Sequence, residues 1–357
     1  MGSVTGKNFV VATFGESHGP GLGVVIDGLP SGLPLDEALV QADLDRRRPG
    51  RSPLASPRRE PDKAEILSGL SGGLTNGAPL AMLIRNRDAR SGDYAAHAKS
   101  FRPGHADWTY FVKYGLPPQP GGGRSSGRET AARVAAGAVA RALLSRFGVS
   151  VRAACVAVGG VRAIKRDWAH AETTPLRFPD PDLNALAEET AASARDAGDS
   201  VGSVVEVEAL GVRPGLGDPV FDKLEARLGA AFLSLGAVRA VEFGEGIKIS
   251  AMRGSEANDP MGPDGPEGRG HGGVLGGVST GRPIAARLFV KPTPSISLEQ
   301  RTVDVDGGRT SISVQGRHDP CLGPRVAPVA EAACLIVLAD FYLRAPARLD
   351  KLEEMWG

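Results

Sequence analysis

The chain has 357 residues, enough for one large domain or two ordinary ones. Its 42 Lys and Arg against 41 Asp and Glu leave a formal net charge of +1, so no global field gathers nucleic acid or an anionic membrane. The 41% of hydrophobic residues suffices for a sizeable core, and 48 Gly and 27 Pro point to a turn-rich fold rather than to disorder. Three cysteines, Cys155, Cys321 and Cys334, are odd in number and lack ligand spacing, as reduced thiols of a cytoplasmic protein would. The start, Met1 to Asn8, has no apolar core, and the stretch Ala332 to Leu343 is too short to span a bilayer and carries Asp340. No membrane and no nucleic acid are expected as partners.

In chain order, Phe9 to Phe14 and Gly23 to Asp27 are predicted strands, with Gly15 to Gly21 between them. A helix from Asp36 to Arg48 follows and is stopped by Pro49-Gly50. Thr130 to Phe147 is rich in Ala and Val and predicts a buried helix, entered through Gly121-Gly122-Gly123 and Arg124-Ser125-Ser126-Gly127-Arg128-Glu129. Ser126 and Glu129 have the spacing of a capping box, and the two arginines flank the positive end of the helix dipole, where an anion would be welcome. Gly202 to Gly211 alternates as a half-buried strand, Pro214-Gly215-Leu216-Gly217 turns, and Phe221 to Leu235 is helical. That unit resembles the earlier strand, Gly-Pro turn and helix, so two pseudo-symmetric halves are expected. Met252 to His271 reads as loop, a helix from Val326 to Leu343 closes the fold, and the tail 350–357 is expected to fray. The fold class is α+β, as one domain over residues 1–357.

Three histidines lie in loops dense with Gly and charge: His18, His105 and His318. Imidazole titrates near neutrality, which suits proton transfer, although each alone also fits a hydrogen-bonded surface histidine. No short spacing suggests a metal site. Arg46-Arg47-Arg48 with Arg51, Arg58 and Arg59 admits three readings: an RNA patch, a complement to the helix dipole, or a grip on a multiply charged small anion. Gly268 to Gly273 has the spacing of a dinucleotide fingerprint, but no strand precedes it and no helix follows, which leaves a nicotinamide oxidoreductase as a weak alternative.

Together these stretches closely resemble the chorismate synthase family over roughly Thr13 to Leu343. The likeness is carried, in order, by Phe14 to Gly19, Asp43 to Gly50, Phe101 to Asp107, Arg124 to Thr130, Lys291 to Ser295 and Gly316 to Cys321. The resemblance implies a carbon–oxygen lyase of the shikimate pathway. Its reaction is the anti-1,4-elimination of phosphate from 5-enolpyruvylshikimate 3-phosphate to give chorismate, with reduced FMN lending an electron transiently. It implies a β-α-β sandwich with helices between two antiparallel sheets, and usually a homotetramer. By position, His18 would serve the departing phosphate, His105 the reduced flavin, and Asp319 the flavin N5 region. Arg47, Arg102 and Arg128 would grip the substrate's anionic groups. FMN would meet Arg124, Ser125, Ser126, Gly236, Ala237, Gly276, Lys291, Pro292, Thr293, Pro294, Ser295 and Arg317. NADPH or an external flavin reductase would supply reducing equivalents. The chain departs from the family pattern at Pro117 to Pro120, at Pro53, where Arg51 is the nearby base, and at Gly236.

Overall fold

A computed structural model describes residues 2–48, 50, 54, 60–88, 99–314 and 318–344. The tail 350–357, Pro53, Arg51, Arg58, Arg59 and Arg317 lie outside these residues. Two five-stranded antiparallel sheets form the outer layers. The first is built from β1 (Val4–Thr5), β2 (Val10–Gly15), β3 (Gly21–Asp27), β4 (Ala64–Ser68) and β5 (Leu80–Arg85), in the order β1-β2-β3-β5-β4. The second is built from β6 (Ser150–Val158), β7 (Val161–Arg162), β8 (Ser203–Leu210), β9 (Val238–Phe243) and β10 (Ile284–Val290), in the order β9-β10-β8-β6-β7. The main helices are α1 (Glu37–Arg47), α2 (Asp107–Tyr114), α3 (Thr130–Ser145), α4 (Asn184–Asp196), α5 (Leu224–Leu233) and α6 (Gly323–Arg344).

The expected repeat is present in the topology. β2-β3-α1-β4-β5-α3 and β6-β8-α5-β9-β10-α6 follow the same path, and in each sheet the strand that leads into the Gly-Pro turn is the central one. Alternation sets the inward faces. Leu22, Val24 and Ile26 stand opposite Ile84, Met82 and Leu80 in the first sheet; Val205, Val207 and Ala209 stand opposite Leu288, Ala286 and Ile284 in the second. All twelve are buried in one core, shared with α1, α3 and α6.

A helix covered on both sides must be apolar around its whole circumference. Both α3 and α6 are buried on most sides, and charged residues along them, Arg133 and Arg141 on α3 and Arg325, Glu331 and Asp340 on α6, are paired with opposite charges. The two helices also touch closely: a methyl at Gly137 would lie 2.4 Å from the Cβ of Ala332, so only glycine fits. The 22-residue α6 is long and apolar enough to cross a membrane, yet here it fills the middle of the sandwich. Its Asp340 is buried and its Oδ1 accepts the backbone N–H groups of Lys7, Asn8 and Phe9, which ties the start of the chain to the last helix. The outer face of the second sheet is covered by α4 and the segment before it, in a smaller core that includes Cys155, Phe178 and Cys321. All three cysteines are buried free thiols.

The helix boundaries follow local chemistry. Asp36 caps α1 by accepting from Leu39 N–H at 2.8 Å, and Arg46 and Arg47 occupy its last turn. The expected capping box at Ser126 and Glu129 does not form. Ser126 Oγ accepts only from Arg128 N–H, at 3.4 Å, because the entry to α3 is a tight 3-10 turn over Gly127–Glu129. The Glu129 side chain turns forward to Arg133 instead, at 3.0 Å. Within 252–271, expected as loop, lie one helical turn, Gly254–Ala257, and a two-stranded hairpin of Met261–Gly262 with Gly265–Pro266.

Candidate active site

Loops from both halves surround a cavity of about 1100 Å³, above the roughly 300–1,000 Å³ typical of a single-ligand site. Among the described residues, its lining holds seven cationic side chains (Arg47, Arg102, Arg124, Arg128, Arg133, Lys291 and Arg325) and four carboxylates (Glu16, Asp107, Glu129 and Asp319). The space therefore favours anions and has room for a cofactor beside a substrate.

The three consecutive glycines make the site possible. Gly121, Gly122 and Gly123 have φ of 62°, 84° and 51°, which side-chain-bearing residues seldom adopt. The loop wedges between two histidines: a methyl on Gly121 would fall 2.2 Å from His18 Cε1, and one on Gly122 would fall 3.1 Å from His105 Cε1. Ser17 N–H donates to Gly123 O at 3.3 Å, and Asn86 Nδ2 donates to Glu16 O and Gly19 O, so the His18 loop is held against the glycines. His18 stands beside Gly121 and Ser17, both of which line the cavity; its own Nδ1 is 3.2 Å from Ser17 Oγ.

On the opposite side Arg102, His105 and Asp107 form one unit at the start of α2. Asp107 accepts from Arg102 Nε at 2.7 Å and Nη2 at 2.8 Å, and its Oδ1 is 2.7 Å from His105 Nδ1. Burial pushes the Asp107 pKa up, but the hydrogen bonds from His105 and Arg102 outweigh it and hold the carboxyl well below its usual range. An ionised Asp107 accepts a hydrogen bond from His105 Nδ1–H, which leaves Nε2 for contacts on the cavity side. His318 also lines the cavity; burial first, then the Arg102 charge, lowers its pKa to about 4, so it is neutral at pH 7.

The turn Lys291–Ser295 is bound to both neighbours. Thr293 Oγ1 donates to Asp319 O at 2.6 Å, and Arg102 Nη1 reaches Ser295 Oγ at 3.4 Å. Asp319 in turn accepts from Arg325 Nη1 at 2.6 Å. Ala237, whose carbonyl accepts from Lys291 N–H at 3.0 Å, holds φ at +74°, a strained value for alanine. Arg124 and Lys291 differ from the other cations. Arg124 donates to Gly15 O, Ser3 Oγ and Thr13 Oγ1, and Lys291 Nζ to Gly104 O, so among the described residues neither charge meets a carboxylate.

Of the residues expected from sequence, Arg47, Arg102, His105, Arg124, Ser125, Ser126, Arg128, Gly236, Ala237, Lys291, Thr293, Pro294, Ser295 and Asp319 share this lining. Pro292 is exposed and Gly276 sits at an exposed hairpin turn; neither lines the cavity. Sequence reasoning missed Arg133 and Arg325, gave no role to Asp107, and missed Asp62 behind the wall. The place of Asp107 two residues after His105 is a signal that could have found it; Asp62 had none, lying 15 and 66 residues from its arginines. The arginine run divides: Arg46 and Arg47 turn inward and Arg48 stays exposed beside Asp45, so no basic stripe faces outward along α1.

A family model described as chorismate synthase matches residues 9–343. A protein of Syntrophobacter fumaroxidans named chorismate synthase is 54% identical over 350 residues, covering 98% of this chain and 99% of its own. One of Methanocella arvoryzae with the same name is 52% identical, covering 95% and 94%. A crystal structure of chorismate synthase superimposes with a TM-score of 0.78 at 29% identity, covering 98% of this chain and 96% of that one.

Proposed function

The chain belongs to the chorismate synthase family, lyases that eliminate phosphate from 5-enolpyruvylshikimate 3-phosphate to give chorismate, and we propose that its cavity holds reduced FMN together with that substrate. One observation carries the reading. A single cavity, too large for one small ligand and rich in cations, brings His105, Arg128 and Asp319 together, with His18 packed on its glycine loop. The substrate carries one phosphate and two carboxylates, which matches a wall with more cations than carboxylates.

Bound reduced FMN supplies transient electron donation that eases departure of an allylic phosphate. The chain's own residues do the rest. Arg47, Arg102 and Arg128 orient the anionic groups, with Asp62 behind the first and third and Asp107 behind the second. His18 gives a proton to the departing phosphate, which lowers the charge that must leave. His105, fixed by Asp107, exchanges a proton at Nε2 on the cofactor side. Asp319, held by Arg325 and by the Thr293 turn, presents a carboxylate oriented by its neighbours. Arg124 and Lys291, whose charges no carboxylate among the described residues offsets, suit the cofactor's phosphate. Burial, and then the charge of Arg239, lowers the Lys291 pKa, and a bound dianion would restore it.

Mixing the protein anaerobically with photoreduced FMN and the substrate should yield chorismate and phosphate in equal amounts. A protein that binds the flavin yet leaves the substrate intact contradicts the reading. Aerobic turnover with NADPH and oxidised FMN alone would assign flavin reduction to this chain; failure there, beside anaerobic success, assigns it to a separate reductase. A cytoplasmic homotetramer goes with this function, and sedimentation velocity measures the assembly.

A further inference from the structure

Two arginines of the proposed substrate wall, Arg47 and Arg128, lean on one carboxylate that does not itself line the cavity. Asp62 has no solvent exposure, and Arg47 and Arg128 are exposed to only 1% and 4%. Its Oδ2 accepts from Arg47 Nη1 at 2.9 Å, and its Oδ1 accepts from Arg128 Nη1. The backbone at Asp62 has φ of +47°, a region that Asp tolerates better than most residues but adopts only under local constraint. Each arginine is fixed at a further point. Arg47 Nη2 donates to Gly127 O at 2.6 Å and Arg128 Nε to Asn86 Oδ1 at 2.9 Å. Arg128 Nη2 is buried without a hydrogen-bond acceptor, although Glu60 lies 3.8 Å away.

Two guanidinium groups this close repel each other. A carboxylate shared between them offsets that repulsion and sets their separation and relative plane, which a pair of flexible side chains would not hold alone. Burying three charges is expensive, and an apolar trio would pack as well for stability alone. We propose that Asp62 is a positioning residue for the phosphate elimination, fixing Arg47 and Arg128 from behind the wall so that both address the substrate's anionic groups at once. The proposal rests on the chorismate synthase reading above. Asp62 touches neither substrate nor cofactor.

Asp62→Asn keeps the shape and removes the charge. Its kcat should fall by about 10²-fold, the scale of an ångström's misplacement in a reacting complex. The KM for substrate and the inhibition constant of inorganic phosphate should not rise, because the wall gains net positive charge. Asp62→Glu, with the charge restored one methylene too far, should recover part of kcat. In an Arg128→Ala background, Asp62→Asn should cost less than in the wild type, since one of the two arginines it acts through is already gone. Thermal midpoint and flavin affinity report the fold separately.

The outcomes separate cleanly. A wild type that binds flavin without turnover overturns the reaction reading, and this proposal with it. A working wild type with Asp62→Asn at nearly the same kcat, or with KM alone raised, overturns the proposal only. An undiminished cost in the Arg128→Ala background does the same. Loss of the folded state in both Asp62→Asn and Asp62→Glu would make the carboxylate structural and also overturn it.

Discussion

Arg46 and Arg47 are adjacent on α1 and reach opposite kinds of surroundings. Arg46 joins a network between layers: it bonds Glu331 of α6 at 2.6 and 2.9 Å and Glu172 at 2.6 Å. Arg141 of α3 bonds Glu331 and Asp43, both at 2.9 Å, and Arg177 bonds Glu172 at 2.7 Å. Three arginines face three carboxylates, and Glu331 also accepts from Ala153 N–H of β6. Charge is balanced there, and the network joins helix to helix to sheet. Arg47 belongs instead to a wall whose cations outnumber its carboxylates. A closed network holds a fold, whereas an unbalanced one waits for an anion from outside.

The comparison breaks most sharply by mutation. Glu331→Ala removes the buried carboxylate that Arg46 and Arg141 share, leaving each another acidic partner, and should cost about 3 kcal/mol in urea unfolding, with flavin affinity of the folded fraction unchanged. An equal loss of flavin binding would merge the two regions that this account keeps apart. On the site side, His105→Ala and His18→Ala should each lower turnover by about 10²–10⁴-fold while the thermal midpoint holds. Wild-type rates would remove their roles. Gly137→Ala, where a methyl meets Ala332, should cost about 1–3 kcal/mol by overpacking and leave the rate per folded molecule intact.

The smallest effect concerns pH. His318 has a folded pKa near 4 against 6.5 in the unfolded chain, so the unfolded state binds the proton first as pH falls. Its contribution is intact above pH 6.5 and is lost progressively towards pH 4, at most about 3 kcal/mol. His318→Asn should flatten that part of the stability profile. An unchanged slope between pH 6.5 and 4 would mean that other groups govern it.

Much of the fold was legible because its signals are local. The alternation of Gly202 to Gly211 gave β8, the Ala/Val run from Thr130 gave α3, and the Gly-Pro turns announced the repeat. Two things were not local. The capping box depended on backbone geometry after Gly127, where a 3-10 turn took its place. The glycine run was read only as the entry to a helix, whereas its absent side chains make room for the rings of His18 and His105, which lie far apart in sequence. Likewise Asp107 was visible beside His105, but its hold on Arg102 and His105 needs the geometry at the start of α2. Asp62 carried no signal at all, because the two arginines it joins are 15 and 66 residues away.

A crystal structure of the protein soaked anaerobically with FMN and 5-enolpyruvylshikimate 3-phosphate tests the central claim most directly. This account predicts both molecules in one hollow, the flavin near His105, Asp319 and Lys291 and the substrate's charged groups against Arg47 and Arg128. Flavin seated on another surface, with those side chains facing only solvent, would contradict it.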